Sequence, residues 1–453
     1  MLARLGLRIS AVFRATAPDP FVIAVLLTAA VIVASVVFTD YSVSESAAAW
    51  SADGGVWRFL SFGMQMCLIL VTGHTLAASR PVRALITTMA KLPQSGRSAA
   101  ALVLVAAAGL SLINWGLGLI GGALLARDTA RSLRARGVPF HYPLLAAAGY
   151  AGFIVWHGGF SGTAPLKVST VGEIADVLPI GVELDPIPIT ETILSPLNLV
   201  VTLGVIGIAA GLLTLMSPDD PDCVPAPDLE DKPISERGED RSLFVRLLED
   251  TPIVNWLLAA IIASWAWGFY FPAVGPSGLR SLTPNSVNLT MLLLGLLLHG
   301  SPRSYVRAVE DAASGCSGII LQFPLYAGIM GVMHSSGLTG KLAGAIASVA
   351  SVDTLPVFTC LSAGVVNLFV PSGGGQWGVQ GPIAIQSALD AGVDPAKIVM
   401  AVAYGDQLTN MLQPFWALPL LAITRIRARD IVGYTAVVMV AATVWTCLCL
   451  LIL

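Results

Sequence analysis

The sequence predicts an all-α polytopic membrane protein of two inverted-topology repeats, with about nine full spans and two re-entrant hairpins. Three observations carry that prediction. The first is composition: 55% of residues are hydrophobic, 12% are charged, and mean hydropathy is +0.78. A soluble globular chain carries about 25% charged residues. The second is the distribution of Lys and Arg between apolar runs. The third is a spacing that recurs in both halves. Alternating ten-residue segments, the mark of a membrane β-barrel, are absent from the sequence.

Residues 1–20 hold Arg4, Arg8 and Arg14 before Pro18-Asp19-Pro20 and read as a cytoplasmic lead-in, expected to be retained. The first transmembrane half, 21–216, opens with spans at about 21–38 and 59–79. The loop between them carries Asp40, Glu45 and Asp53 against Arg58 alone. Arg80, Arg83, Lys91 and Arg97 then follow without an acid. Lys and Arg mark the cytoplasmic side. The next apolar stretch, 98–126, ends in Arg127, Arg131, Arg134 and Arg136, again a cytoplasmic signature. Such a stretch is too short for two spans of ~20 residues each. A hairpin at about 98–126, with its tip at Asn114-Trp115-Gly116-Leu117-Gly118, fits length and charge; the alternative is one long tilted span. A span near 143–160, an acidic proline-bearing outer loop at 161–195 and a span at 196–216 complete this half.

Residues 217–252 hold eleven acids and four bases and read as a cytoplasmic acidic linker. The second half, 253–453, has spans at about 253–271, 287–299, 314–333, 397–421 and 431–453. A hairpin at about 342–389 surrounds its glycine run.

The halves share a spacing. Asn114 precedes Tyr150 by 36 residues, and Asn367 precedes Tyr404 by 37. Pro165-Leu166 and Pro419-Leu420 each begin 15 residues after their tyrosine. Charge gives the two hairpins opposite orientations, the pattern of inverted-repeat secondary transporters whose broken elements meet near the midplane.

Candidate site residues lie at the breaks. Pro371-Ser372-Gly373-Gly374-Gly375-Gln376 lacks the Lys and Ser/Thr of a phosphate loop. In a membrane such a break must face protein or a polar cavity. Ser372, Gly373, Gly374 and Gly375 suit an anion nest at a helix N-terminus, with Asn367 and Gln376 beside them, and a small organic carboxylate is the natural guest. Asn114, Gly116 and Gly118 hold the matching place in the first half. The plainer alternative is that the glycines only permit tight helix crossing. Asp406, Asn410 and Gln413 follow at spacings of four and three, the densest polar stripe of the membrane part. An intramembrane carboxylate is costly and marks function, so Asp406 suits a sodium ion or a proton, with Asn114 and Asn367 as further coupling-ion candidates. His157 and Ser161 complete the substrate-binding set. The six cysteines have no zinc or disulfide spacing, and no catalytic motif occurs, so no enzyme and no cofactor are expected. A net charge of −3 gives no nucleic-acid signal.

Phe62-Gly63-Met64-Gln65-Met66, Ile113 to Gly118, Pro371 to Gly375, Tyr404-Gly405-Asp406-Gln407 with Asn410, and Gln413 to Pro419 together resemble the bacterial short-chain fatty acid transporter family, from about Pro18 to the C-terminus. The resemblance extends to the wider ion transporter superfamily. It implies inverted repeats, hairpins, an elevator-like movement, a homodimer, and uptake of butyrate- or acetoacetate-like monocarboxylates across the inner membrane. Gln376 stands where a histidine is common in the family, and Asp406 where a glutamate is common. A dicarboxylate carrier and an anion channel are the alternatives.

Overall fold

The computed structural model describes residue 8 and residues 20–58, 60–169, 174, 184–218, 242–273, 284–338, 340, 341, 351–371 and 373–453. The first half contains Pro20–Phe38 (α1), Val43–Ser51 (α2), Leu60–Ala78 (α3), Arg80–Lys91 (α4), Gly96–Ile113 (α5), Trp115–Ala135 (α6), Tyr142–Ala151 (α7), Thr163–Lys167 (α8) and Pro196–Met216 (α9). The second contains Leu243–Glu249 (α10), Ile253–Tyr270 (α11), Pro284–Leu298 (α12), Pro302–Ala313 (α13), Ser317–Ser335 (α14), Leu355–Phe369 (α15), Gly373–Ala391 (α16), Pro395–Thr409 (α17), Pro414–Thr424 (α18) and Ala428–Ile452 (α19). No strand occurs among the described residues.

Six helical segments among the described residues are long and apolar enough to cross a membrane. Their surfaces suit lipid rather than water. On α11, Leu257, Ile261 and Trp267 are exposed, while Asn255, Ala259 and Ile262 are buried. Lipid solvates apolar side chains, so polar groups turn inward and find partners there.

Helix starts follow ordinary capping chemistry. The Ser95 hydroxyl accepts from the Ser98 amide at the head of α5. Ser195 caps α9 ahead of Pro196, and Asp394 caps α17 ahead of Pro395. Two twelve-residue amphipathic helices, α4 and α13, went unread in the sequence because each is too short and too charged to register as a span.

The helices differ from the expected elements in four places. The first hairpin is longer than expected: α5 and α6 cover 96–135, and the break is Asn114 alone, with Gly116 and Gly118 inside α6. The expected spans near 143–160 and 397–421 are each interrupted by a 3-10 turn, at Gly152–Gly158 and Asn410–Leu412. Part of the expected linker is helical, as α10. Residues 219–241 of that linker, residues 342–350 of the expected second hairpin, and all but Arg8 of 1–19 lie outside the described residues.

Packing crosses between the halves. Helix α6 lies against α18, and α16 lies against α8. Each second hairpin arm therefore packs on the helix that follows the break in the other half. At the periphery, α11, α12 and α13 share a small apolar cluster around Ala259, Ile262, Leu293, Leu296 and Tyr305. Polar contacts fasten that unit to α3. Gln65 Nε2 donates to Asn285 Oδ1 at 2.9 Å, and a His299 ring nitrogen meets the Thr75 carbonyl at 2.9 Å.

Candidate functional site

Both broken segments end inside the protein. After the 3-10 turn at Gly152–Gly158 the chain becomes extended at Gly159. After Asn410–Leu412 it is extended at Gln413, ahead of Pro414. Pro414 has no N–H and disfavours helical backbone in the residue before it, so this break is written locally.

Each break is held by side chains from the other half. Tyr150 Oη donates to the carbonyls of Asn410, at 2.7 Å, and Gln413, at 3.0 Å. Trp156 Nε1 donates to Asn410 Oδ1 at 2.8 Å. In return, Gln407 Oε1 accepts from the amides of His157 and Gly158 at 3.1 and 3.2 Å. Tyr404 Oη donates to Asn198 Oδ1 at 3.1 Å, and Asn198 Nδ2 donates to the Gly158 carbonyl at 2.8 Å. These bonds satisfy backbone groups that broken helices leave open at depth.

Asp406 lies at the centre of this lattice. It is 1% exposed, and it is the only buried acid among the described residues. Its backbone carbonyl accepts from Asn367 Nδ2 at 2.7 Å, and the same amide donates to Thr409 Oγ1 at 3.0 Å. Neither carboxylate oxygen has a hydrogen-bond partner. Oδ1 lies 3.6 Å from Nδ1 of His157, which is equally sealed. The other ring nitrogen, Nε2, accepts from the Ala164 amide at 3.0 Å. That bond places the lone pair on Nε2, so the neutral imidazole carries its proton on Nδ1, facing Asp406.

The second hairpin tip reaches this pair. A Cβ added to Gly373 would lie 2.9 Å from Trp156 Cη2, 3.1 Å from Thr163 Oγ1 and 3.2 Å from His157 Cε1. Glycine is thus required for the N-terminus of α16 to sit where it does. Gly374 is exposed and Gly375 half-buried, while Ser372 lies outside the described residues.

The other sequence candidates divide by what they hold. Asn410 and Gln413 are buried, but α17 ends at Thr409, so Gln413 leaves the helical face predicted for it. Their amides brace the break: Asn410 Nδ2 donates to Gln413 Oε1 at 3.3 Å, and Gln413 Nε2 donates to the Asn367 carbonyl. Gln376 Nε2 turns into its own hairpin, donating to the Ala363 carbonyl and to Gln380 Oε1, both at 2.9 Å. Asn114 caps α6, its Oδ1 accepting from the amides of Gly116 and Leu117. Ser161 Oγ accepts from the Trp115 amide at 3.0 Å. Gly118 lets the hairpin arms touch, since an added Cβ would lie 1.8 Å from Ser111 Oγ.

Two groups emerge. His157, Asn367, Gly373, Asp406, Asn410 and Gln413 are assembled at one place. Asn114, Gly116, Gly118 and Ser161 surround the first tip. Ring contacts connect them: Trp115 to Phe153 at 6.4 Å and to Trp416 at 5.3 Å, Phe153 to Trp156 at 5.6 Å, and Trp156 to His157 at 4.3 Å. Sequence reasoning missed Gln407, Tyr150, Trp156, Tyr404 and Asn198 as cross-braces. The recurrent tyrosine spacing was the available signal for two of them. Among the described residues no group of three or more His, Cys, Asp or Glu side chains forms a metal cluster.

Apolar membrane-length helices mark a multi-pass membrane protein, with two interior breaks and a sealed polar lattice. The profile of the short chain fatty acid transporter family matches residues 1–453, and the chain belongs to that family. It is 38% identical over 427 residues to an Escherichia coli K12 protein provisionally named a short-chain fatty acid transporter, covering 92% of each chain. A Haemophilus influenzae protein of the same name is 37% identical over 428 residues, again covering 92% of each. Among solved structures, the Alcanivorax borkumensis YdaH transporter aligns distantly: 15% identity, TM-score 0.45, covering 96% of this chain and 97% of that one.

Proposed function

We propose that this protein is a secondary carrier of short-chain monocarboxylates such as butyrate and acetoacetate across the bacterial inner membrane, coupled to a proton. The observation that carries the proposal is Asp406, a sealed carboxylate with both oxygens unpartnered beside the Nδ1 face of His157. An ionised carboxylate there is uncompensated, which costs several kcal/mol. It would also repel a second carboxylate. A cation taken up with the substrate removes both penalties. Because Nε2 of His157 already accepts from Ala164, a second ring proton would confront that amide. Asp406 is therefore the member of the pair that takes the proton; sodium with Asn367 as a further ligand is the rival outcome.

The substrate carboxylate is assigned to the N-terminal end of α16, at Gly373 to Gly375, where amides and the helix dipole favour an anion. Phe153, Trp156 and Trp416 would face its short apolar tail. Helix order supports the inverted repeats: α5, α6, α7, α8 and α9 correspond to α15, α16, α17, α18 and α19. In this reading about nine helices cross fully and the two hairpins are re-entrant. A homodimer remains part of the proposal from the superfamily resemblance alone.

The test is counterflow of labelled butyrate in proteoliposomes, with proton and sodium gradients imposed in turn. Accumulation should follow the proton gradient, and Asp406→Asn should retain exchange while losing accumulation. Accumulation driven by sodium alone would reassign Asp406 to sodium. Exchange of succinate without butyrate would make the protein a dicarboxylate carrier. Currents far above carrier turnover would make it a channel.

A further inference from the structure

Helix α10 carries an apolar face that the described residues leave open. Leu243, Phe244 and Leu247 are 83, 69 and 51% exposed, and Leu248 is exposed beside them. At about 100° per residue these four fall within an arc of about 140°, and Arg246 and Glu249 fall outside it. The helix is tied to the body at its C-terminal end, where Asp250 Oδ1 lies 3.6 Å from Arg303 Nη1 of α13. From there the chain runs through Thr251-Pro252 into α11, and Leu243–Tyr270 together form 28 residues apolar enough to cross a membrane. Hydrocarbon cannot hold them all in one straight span. The 18 residues of α11 alone make about 27 Å of helix, close to the ~30 Å thickness of the hydrocarbon core. Pro252, which has no N–H, stands at the break ahead of α11. Helix α10 is therefore left at the edge of the hydrocarbon with its apolar strip still to be covered.

We propose that α10 is a membrane-surface helix, with its Leu243, Phe244, Leu247 and Leu248 face seated in lipid at the boundary between headgroups and acyl chains. Continuity with the lipid-facing surface of α11 identifies this occupant. Ile253, Val254 and Leu257 are exposed from the first turns of α11, so that helix meets lipid as soon as it starts. Only residues 250–252 separate it from α10, a reach of at most about 11 Å. Helix α10 thus stays within reach of the bilayer surface that α11 enters. An amphipathic helix in that position buries its apolar side in the interface and keeps its charges toward water. Its own charges are one of each sign, Arg246 and Glu249. Apolar area, rather than the charge of the lipid, therefore carries the contact. Seated in this way, α10 fixes where the chain between the two halves meets the membrane, and the Asp250–Arg303 pair ties that point to α13. The inference is independent of what the protein carries.

The test is photocrosslinking of the full chain in phosphatidylcholine liposomes, with p-benzoylphenylalanine placed at Leu243, at Phe244 or, for comparison, at Glu249. Adducts are identified by mass spectrometry. Irradiation should give acyl-chain adducts at the first two positions and a loss of them at Glu249. Equal lipid labelling at all three positions would overturn the proposal, because no one face would then be seated. Adducts to a second copy would overturn it and make the strip an interface between copies. Adducts to residues 219–241 would overturn it and make the strip a seat for the preceding chain. An absence of adducts of any kind would leave the face in water and would also overturn it. Labelling that requires added phosphatidylglycerol would overturn the apolar basis of the contact. In a second measurement the probe sits at Leu247, with and without Leu243→Glu and Phe244→Glu together. Two carboxylates on the strip should abolish its lipid adducts, and adducts retained at the original level would overturn the proposal.

Discussion

The two hairpin breaks share an architecture and differ in chemistry. At the first tip, Asn114 closes α5 and caps α6, and its Oδ1 is taken by two amides of its own hairpin. At the second, Asn367 reaches across to α17, holding the Asp406 carbonyl and the Thr409 hydroxyl, while its own Oδ1 stays without a partner. The residues that match in spacing are therefore a cap in one half and a clamp in the other. A shared spacing accompanies both breaks. It does not fix which break carries charge. Among the described residues only the second half contributes a sealed acid, and the first half answers with a histidine.

That asymmetry can be broken experimentally. The largest effect is expected from Asp406→Asn: gradient-driven butyrate accumulation should fall by about a hundredfold or more, the ~2.7 kcal/mol scale of a group essential to coupling. Accumulation at the wild-type level would show that the sealed acid is structural. Asn367→Ala should follow, because it leaves a buried carbonyl and hydroxyl without their donor, a loss of roughly 1–3 kcal/mol. Uptake should drop about tenfold or more, and thermal stability should fall with it.

Gly373→Ala is expected to raise the KM for butyrate several-fold, because its methyl group would meet the Trp156 ring edge at 2.9 Å. At the corresponding first tip, Gly116→Ala would meet mainly the Ile69 methyl groups and Asn114 Oδ1, at 3.2 Å, and should leave KM nearly unchanged. Equal effects at the two glycines would erase the distinction between the tips. The smallest effect belongs to Asn114→Ala. Loss of the cap should cost about 1 kcal/mol of stability, Asn114→Ser should restore it, and KM should stay at the wild-type value. A large KM change in Asn114→Ala would make the first tip a ligand site as well.

Much of this was legible in the chain. Long apolar runs gave the membrane class, because hydrocarbon solvent leaves a helix little choice of composition. The glycine run marked the break ahead of α16, because it acts through local backbone geometry, whereas the breaks at Gly152–Gly158 and Asn410–Leu412 fell inside stretches read as spans. The Asn-to-Tyr spacing picked out Tyr150 and Tyr404, both of which make hydrogen bonds between the halves. Local signals could not say that Asn410 and Gln413 brace a break while Asp406 remains unpartnered. All three are polar residues in one apolar span, and only the location of their partners separates them. The same holds for Gln376, whose Nε2 finds its partners, Ala363 and Gln380, within its own hairpin while its Oε1 has none. The amphipathic α4 and α13 escaped a search tuned to spans.

By itself, then, the sequence determined that this chain lives in a membrane, that a glycine run interrupts its second half, and which polar residues it carries at depth. Those properties follow from solvation and backbone sterics, which act over a few residues. Tertiary structure alone decided that His157 and Asp406, 249 positions apart, face each other at 3.6 Å. It also decided that Tyr150 and Trp156 hold the opposite break. Pairings across such distances depend on which helices pack together, and no local propensity encodes that choice.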